Sequence, residues 1–258
     1  MTPIARVFQL LYFIYAALLF IAMMVPVALF ALLATSTGSI SGGNLIYKAC
    51  KLWGAIWFPM VGIFHTNHHE VPPSVDEGTY IYIANHISWL DAALVFQIFP
   101  RPLRPLGKAE VAKIPIFGFI YRNVIVSVDR SSLAARQRSV QRLKSVLRKG
   151  ISVLVFPEGT FNETGQPLSP FFDGAFRIAI ETSTPLKPVL ILDTYDRMPY
   201  HRAFSLNPGR SRAIFLEEIP VAGLKAEDLP ALREHTFQLM AEKLRSYNAS
   251  WIKDSNPS

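Results

Sequence analysis

IYIANHISWLDAALVF, residues 81–96, is the stretch on which the fold turns. Its first half is rich in β-formers and ends at Asn85-His86; its second half reads as a helix over 89–99. A strand that runs into a helix is the repeating unit of an α/β sheet. It sets His86 at the carboxyl end of a strand, where open α/β sheets hold their ligands, and Asp91 in the first helical turn.

The same alternation continues on both sides. Candidate strands are 79–85, 123–129, 151–157, 186–192 and 212–219, and candidate helices are 89–99, 132–149, 173–183 and 225–247. Several strands are nearly unbroken apolar runs, the pattern of strands covered on both faces. The expected fold is α/β: a mixed, mostly parallel sheet flanked by helices, over residues 65–250. No internal repeat or low-complexity tract interrupts it, and 251–258, ending in KDSNPS, reads as a flexible tail.

Residues 1–64 differ in kind. Between Arg6 and Lys48 there is no charged residue, and LLYFIYAALLFIAMMVPVALFALLA (10–34) is apolar almost throughout. As a helix it spans roughly 37 Å at ~1.5 Å per residue, enough for a bilayer core of about 30 Å. Pro26 should kink it. The run is too long for the apolar core of a signal peptide, so it reads as a membrane anchor. A second apolar piece, 52–64, is broken by Pro59 and flanked by Trp53, Trp57, Lys48 and Lys51. It stays open between the second half of a hairpin, a re-entrant segment and an interfacial helix. STGSISGGN (36–44) reads as a flexible turn or linker between the two.

The 258 residues carry 26 Lys and Arg against 19 Asp and Glu, a formal charge of +7, and half of them are apolar. A basic, apolar chain points to a phospholipid bilayer as partner. Nucleic acid would need a basic groove with interleaved aromatics. The basic residues cluster instead on one helix (Arg136, Arg138, Arg142, Lys144, Arg148, Lys149), with no acid among them. That helix reads either as a solvated face or as a contact for anionic headgroups or an acidic carrier protein. Lys48 and Lys51 outnumber Arg6, which puts the α/β domain after the first apolar segment on the cytoplasmic face. The single Cys50 excludes an internal disulfide.

Two readings compete for Asp91. Ser88-Trp89-Leu90-Asp91 fits a capping box, with Ser88 as the cap and Asp91 reaching back. Alternatively, the Asp91 carboxylate fixes one imidazole nitrogen of His86 and leaves the other to take a proton from a substrate hydroxyl. A second strand end, ISVLVFPEGTFN (151–162), presents Glu158 at the rim after Pro157, with Gly159 permitting a tight turn. If both strands lie in one sheet, Glu158 and His86 share a crevice.

Asn85-His86-x4-Asp91 followed by FPEGT resembles the glycerolipid acyltransferases typified by 1-acylglycerol-3-phosphate acyltransferase. SVDR (127–130) resembles that family's middle motif and TPLKPVLI (184–191) its last. The resemblance covers about residues 60–220. It implies transfer of a fatty acyl group from an acyl thioester, acyl-CoA or acyl carrier protein, to a hydroxyl of a lysolipid acceptor. Lysophosphatidate going to phosphatidate is the leading case. It implies His86 as general base, Asp91 as its orienting partner, and Glu158, Gly159 and Thr160 around the acceptor. Arg130 would face the acceptor phosphate, and Lys108 is a phosphate or oxyanion candidate or else a solvated lysine. No cofactor and no metal are implied.

Two positions depart from the family pattern. Phe161 follows FPEGT where an arginine is usual, and Val124 opens the middle motif where a glycine is usual. These departures point to the alternative of a different lyso-lipid acceptor, a lysophospholipid or a lyso-amino-acid lipid. A thioester hydrolase and a non-catalytic lipid-binding protein are the remaining rivals; acceptor dependence separates the first. His65, His68, His69 and Glu70 invite a metal site, but Pro72-Pro73 ends any helix and the spacing fits no zinc signature, so a loop or exposed strand is expected there. Ser88 lacks the strand-to-helix elbow of a nucleophile.

Overall fold

The structure is a computed structural model that describes residues 3–72, 78–114, 117–128, 132–202 and 204–253. The chain opens with α1 (Pro3–Ala34), which continues through Pro26, and α2 (Ser39–Met60). A single 3₁₀ turn at Thr35–Thr37 joins them, and Gly38 at φ +97° reverses the chain. The second apolar piece lies on α2, which packs against α1 as a helical hairpin.

The expectation of a flexible linker over 36–44 is corrected. From Ser39 onward the segment is helical, and Gly42 and Gly43 are buried. A Cβ on Gly42 would stand 2.4 Å from the Ala34 carbonyl oxygen. Those glycines serve close helix contact, a use of small residues that a composition-based reading mistakes for flexibility. Further along, Phe20 sets its edge on Trp53 and Trp57, and the Trp57 indole donates to the Ala16 carbonyl at 3.1 Å. Gly42→Val is therefore expected to push the helices apart at a cost of about 2 kcal/mol. Thermal unfolding in detergent should show the melting temperature lower by about 6 °C.

The other flank of the hairpin faces outward. Phe8, Leu11, Leu18, Leu29 and Leu33 of α1 and Leu52, Ile56 and Met60 of α2 are all exposed. An apolar band of this extent marks a partner surface or a membrane. Among the described residues, α1 is the one helix long and apolar enough to cross a bilayer.

Seven strands follow in one sheet: β1 (Ile63–His69), β2 (Ile81–Ala84), β3 (Arg104–Lys108), β4 (Val126–Val128), β5 (Val153–Val155), β6 (Leu186–Leu192) and β7 (Gly209–Phe215). Their order is β1-β7-β6-β2-β5-β3-β4. The strands from β2 to β6 are mutually parallel; β7 runs antiparallel to β6, and β1 is parallel to β7. The carboxyl ends of five strands therefore share one edge, and that edge holds the candidate site.

Side chains alternate across the sheet, as the two-residue period requires. Tyr82, Ala84, Val189 and Ile191 face a core shared with the hairpin, with α3 (Asp91–Ile98) and with α4 (Phe117–Val124). Ile81, Ile83, Leu190 and Leu192 face the opposite core, covered by α5 (Leu133–Arg148) and α6 (Gly174–Thr182). A short α7 (Thr194–Arg197) follows β6, and α8 (Leu229–Ser246) completes the second layer.

Several expectations are adjusted. The strand expected over 123–129 is helical through Val124, and the strand expected over 212–219 begins at Gly209 and ends at Phe215. The basic helix α5 is not without an acid: Lys144 pairs with Glu181 of α6 at 2.6 Å. α5 also lies on the sheet face away from the hairpin. At the C-terminus, Trp251 is buried with its indole on the Pro167 carbonyl, and the Lys253 N–H donates to the Gly165 carbonyl at 2.9 Å, so 251–253 are packed.

Candidate active site

β2 ends at Ala84, and the two residues after it are held by side-chain and main-chain bonds that take over from the ladder. The Asn85 carboxamide donates to the Ile191 carbonyl at 3.0 Å and accepts from the Ile191 N–H at 2.8 Å. It thus prolongs the pairing of β2 with β6 by one side chain. His86 is gripped by the loop after β5. Its N–H donates to Glu158 Oε1 at 2.9 Å, and its carbonyl accepts from the Asn162 N–H at 2.8 Å.

The imidazole of His86 is 20% exposed, while Asp91 is fully buried. Nδ1 lies 2.9 Å from Asp91 Oδ2. The same oxygen accepts the N–H groups of Ile87 at 2.8 Å and Ser88 at 2.9 Å. An ionised carboxylate is an acceptor only, so Nδ1 carries the hydrogen, and in the neutral ring the lone pair lies on Nε2. Asp91 thus makes both contacts, one to the Ser88 N–H and one to the ring nitrogen of His86. The other half of the capping box is absent. Ser88 Oγ accepts from the Leu90 N–H and donates to the Met198 carbonyl at 2.6 Å, while the Asp91 N–H goes to the Ser88 carbonyl.

Aromatic rings flank the imidazole. Phe156 stacks on it at 4.3 Å and Phe161 lies tilted at the same distance, with Trp89 set edge-on against Phe161. The position where the resembling family has an arginine is therefore part of the wall around His86.

Glu158 is a correction. It does not stand at the rim: it is 2% exposed, and its second oxygen accepts the Ser169 N–H at 2.7 Å. Burial pushes its carboxyl up to about 7; the nearby Asp91 charge pushes the same way, and the two N–H bonds oppose them. Gly159 occupies φ +71°, a conformation that favours glycine, and Thr160 is exposed at the loop tip. Lys108 is exposed at the carboxyl end of β3, two strands from β2. Asp129 and Arg130 lie outside the described residues. Phe156, Asn162 and Ser169 were not singled out from the sequence. Nothing local marks them, since each acts through a turn closed several residues away.

The histidine-rich stretch is strand β1. His65 meets Ser211 and Asn67, His69 stacks on Phe215, and Glu70 takes Lys243 and Tyr247.

A closed-in apolar cavity of about 390 Å³ lies between the hairpin and α3 and α4. Ala16, Phe20 and Met24 of α1, Trp53 of α2 and Ala93 of α3 line it, together with Trp89 and Leu90 from the loop that carries His86. The loop that carries His86 thus forms part of the wall of this apolar slot.

Comparison with known proteins gives a consistent result. A protein-family model described as Acyltransferase matches residues 62–192. A 1-acyl-sn-glycerol-3-phosphate acyltransferase of Cocos nucifera is 34% identical over 119 residues, 45% of this chain and 38% of that protein. The alpha form of that enzyme from Ovis aries is 28% identical over 179 residues, 69% of this chain and 61% of that protein. The crystal structure of the 1-acyl-sn-glycerophosphate acyltransferase of Thermotoga maritima superposes with a TM-score of 0.75 at 23% identity, covering 98% of this chain and 100% of that one. That likeness shows the fold.

Proposed function

This chain belongs to the acyltransferase family, and from that premise we propose that it is a membrane-bound O-acyltransferase that moves a fatty acyl group from an acyl thioester to lysophosphatidate, giving phosphatidate. The donor is acyl-CoA or acyl carrier protein, and the hairpin holds the catalytic domain on the cytoplasmic face of the bilayer. The observation that carries the reading is the His86–Asp91 pair at 2.9 Å beside an apolar slot.

The acceptor hydroxyl gives its proton to Nε2 of His86 as its oxygen attacks the thioester carbonyl. The imidazolium that forms is stabilised by the Asp91 carboxylate through Nδ1–H. The tetrahedral intermediate collapses, the C–S bond breaks, and the leaving thiolate takes the proton back from Nε2. The attacking oxygen belongs to the acceptor, so no protein nucleophile is needed. The acyl tail occupies the cavity, where each buried methylene contributes about 0.8 kcal/mol. Filling part of it with Ala93→Trp should exclude two or more methylenes. KM for long-chain thioesters should rise by about tenfold, with short-chain thioesters little affected, in a chain-length series.

A second acceptor reading has its own observation: Phe161 stands 4.3 Å from His86 and offers no charge to a phosphate. It favours a lyso-lipid with another head group. Incubating the purified protein with one labelled acyl thioester and lysolipids with and without phosphate decides between them. Diacyl product from lysophosphatidate supports the first reading, and product from uncharged or zwitterionic acceptors alone supports the second. Free fatty acid released without any acceptor would make it a hydrolase.

A further inference from the structure

The loop after β5 touches His86 at more points than any acceptor-binding role requires. Glu158 Oε1 takes the His86 N–H, the Asn162 N–H takes the His86 carbonyl, and Phe156 stacks on the ring. Both Glu158 oxygens are committed to main-chain donors, one on the His86 loop and one at Ser169. At 2% exposure the carboxylate has no face left for a lysolipid.

We infer that Glu158 is a positioning residue for His86: its ionised carboxylate ties the peptide N–H of His86 to that of Ser169 and so fixes the ring that takes the proton. This rests on the acyltransferase reading above. The carboxylate works here because it faces two donors. Protonation removes the charge and takes one lone pair from one oxygen, so both ties lose their charge assistance and weaken. The charged group that acts on it is Asp91, and His86 and Ser169 contribute neutral donors, His86 through its peptide N–H. Burial and Asp91 together place its titration near 7, so the tie tightens as pH rises through neutrality.

Glu158→Gln tests this, because a carboxamide presents an NH₂ to one of the two N–H donors at every pH and so breaks one tie without titrating. The variant should lose about 10- to 100-fold in kcat at pH 8, a loss of one or two charge-assisted hydrogen bonds, with acceptor KM within about threefold of wild type. On the acid side, the slope of log kcat/KM should be steeper by one in the wild type than in Glu158→Gln, since the Glu158 proton must also leave. A tenfold rise in acceptor KM with kcat preserved, or equal slopes in both proteins, would overturn the inference.

A readout without substrate keeps it apart from the proposed reaction. In ¹⁵N-serine-labelled protein in detergent micelles, the Ser169 amide resonance (assigned by its loss in Ser169→Ala) should shift with a midpoint near pH 7 in wild type and not in Glu158→Gln. An amide that does not titrate in wild type sinks the positioning role. An amide that titrates in a protein that transfers to no lysolipid leaves the role standing and removes the proposed function.

Discussion

His86→Ala is expected to lower kcat by about 10²- to 10⁴-fold, the range by which a positioned general base accelerates proton transfer, while the melting temperature moves by less than about 3 °C. The two halves of the expectation have separate sources in the structure. The loop at residue 86 is held by main-chain atoms, N–H to Glu158 and carbonyl to Asn162, and both survive truncation of the ring. What is lost is the imidazole, half-buried between Phe156 and Phe161, and with it the lone pair on Nε2. Steady-state transfer from a labelled thioester, run beside thermal unfolding, reads both. Near-normal transfer from a folded His86→Ala protein would remove the base assignment.

Asp91→Asn should cost about a hundredfold in kcat with little loss of stability, and here the geometry says which property is being measured. All three donors converge on Oδ2, and Oδ1 is buried with no hydrogen-bond partner. An asparagine can place its oxygen where Oδ2 stands, still accept from Ile87, Ser88 and Nδ1–H, and put its NH₂ where Oδ1 has nothing. Ring orientation and tautomer are kept, and the negative charge beside the developing imidazolium is gone. A hundredfold is about 2.7 kcal/mol of transition-state stabilisation, reasonable for one charge acting through a hydrogen bond out of water. A loss under about threefold would mean that orientation alone is the carboxylate's contribution; the test is kcat of a variant whose unfolding curve matches wild type.

How much of this could be read beforehand divides along physical lines. The central strands β2, β5 and β6 are continuous apolar runs because both faces are covered, and such runs declare themselves. The spacing from His86 to Asp91 is equally legible, since strand end and first helical turn are adjacent in the chain. β1 was harder: FHTNHH is polar along most of its length because it is an edge strand, and its partner β7 lies far along the chain. β3, with Pro105 and Gly107 in five residues, looks like a loop until Arg104 is seen paired with Val153 and Leu106 with Val126. Glu158 before a glycine looks like a surface turn. Its burial depends on Ser169, eleven residues on, and no local pattern reports that.

The pairing of β1 with β7 also sets an order of events during synthesis. The hairpin and β1 leave the ribosome first, yet Ile63 finds its partner only when Gly209 has been made. Until then the nascent chain carries an apolar two-helix element followed by a strand that lacks its partner. Contacts this distant in sequence form late, so the two helices can pair before the β-layer closes over them. The last strand to arrive then locks the sheet onto an element already in place.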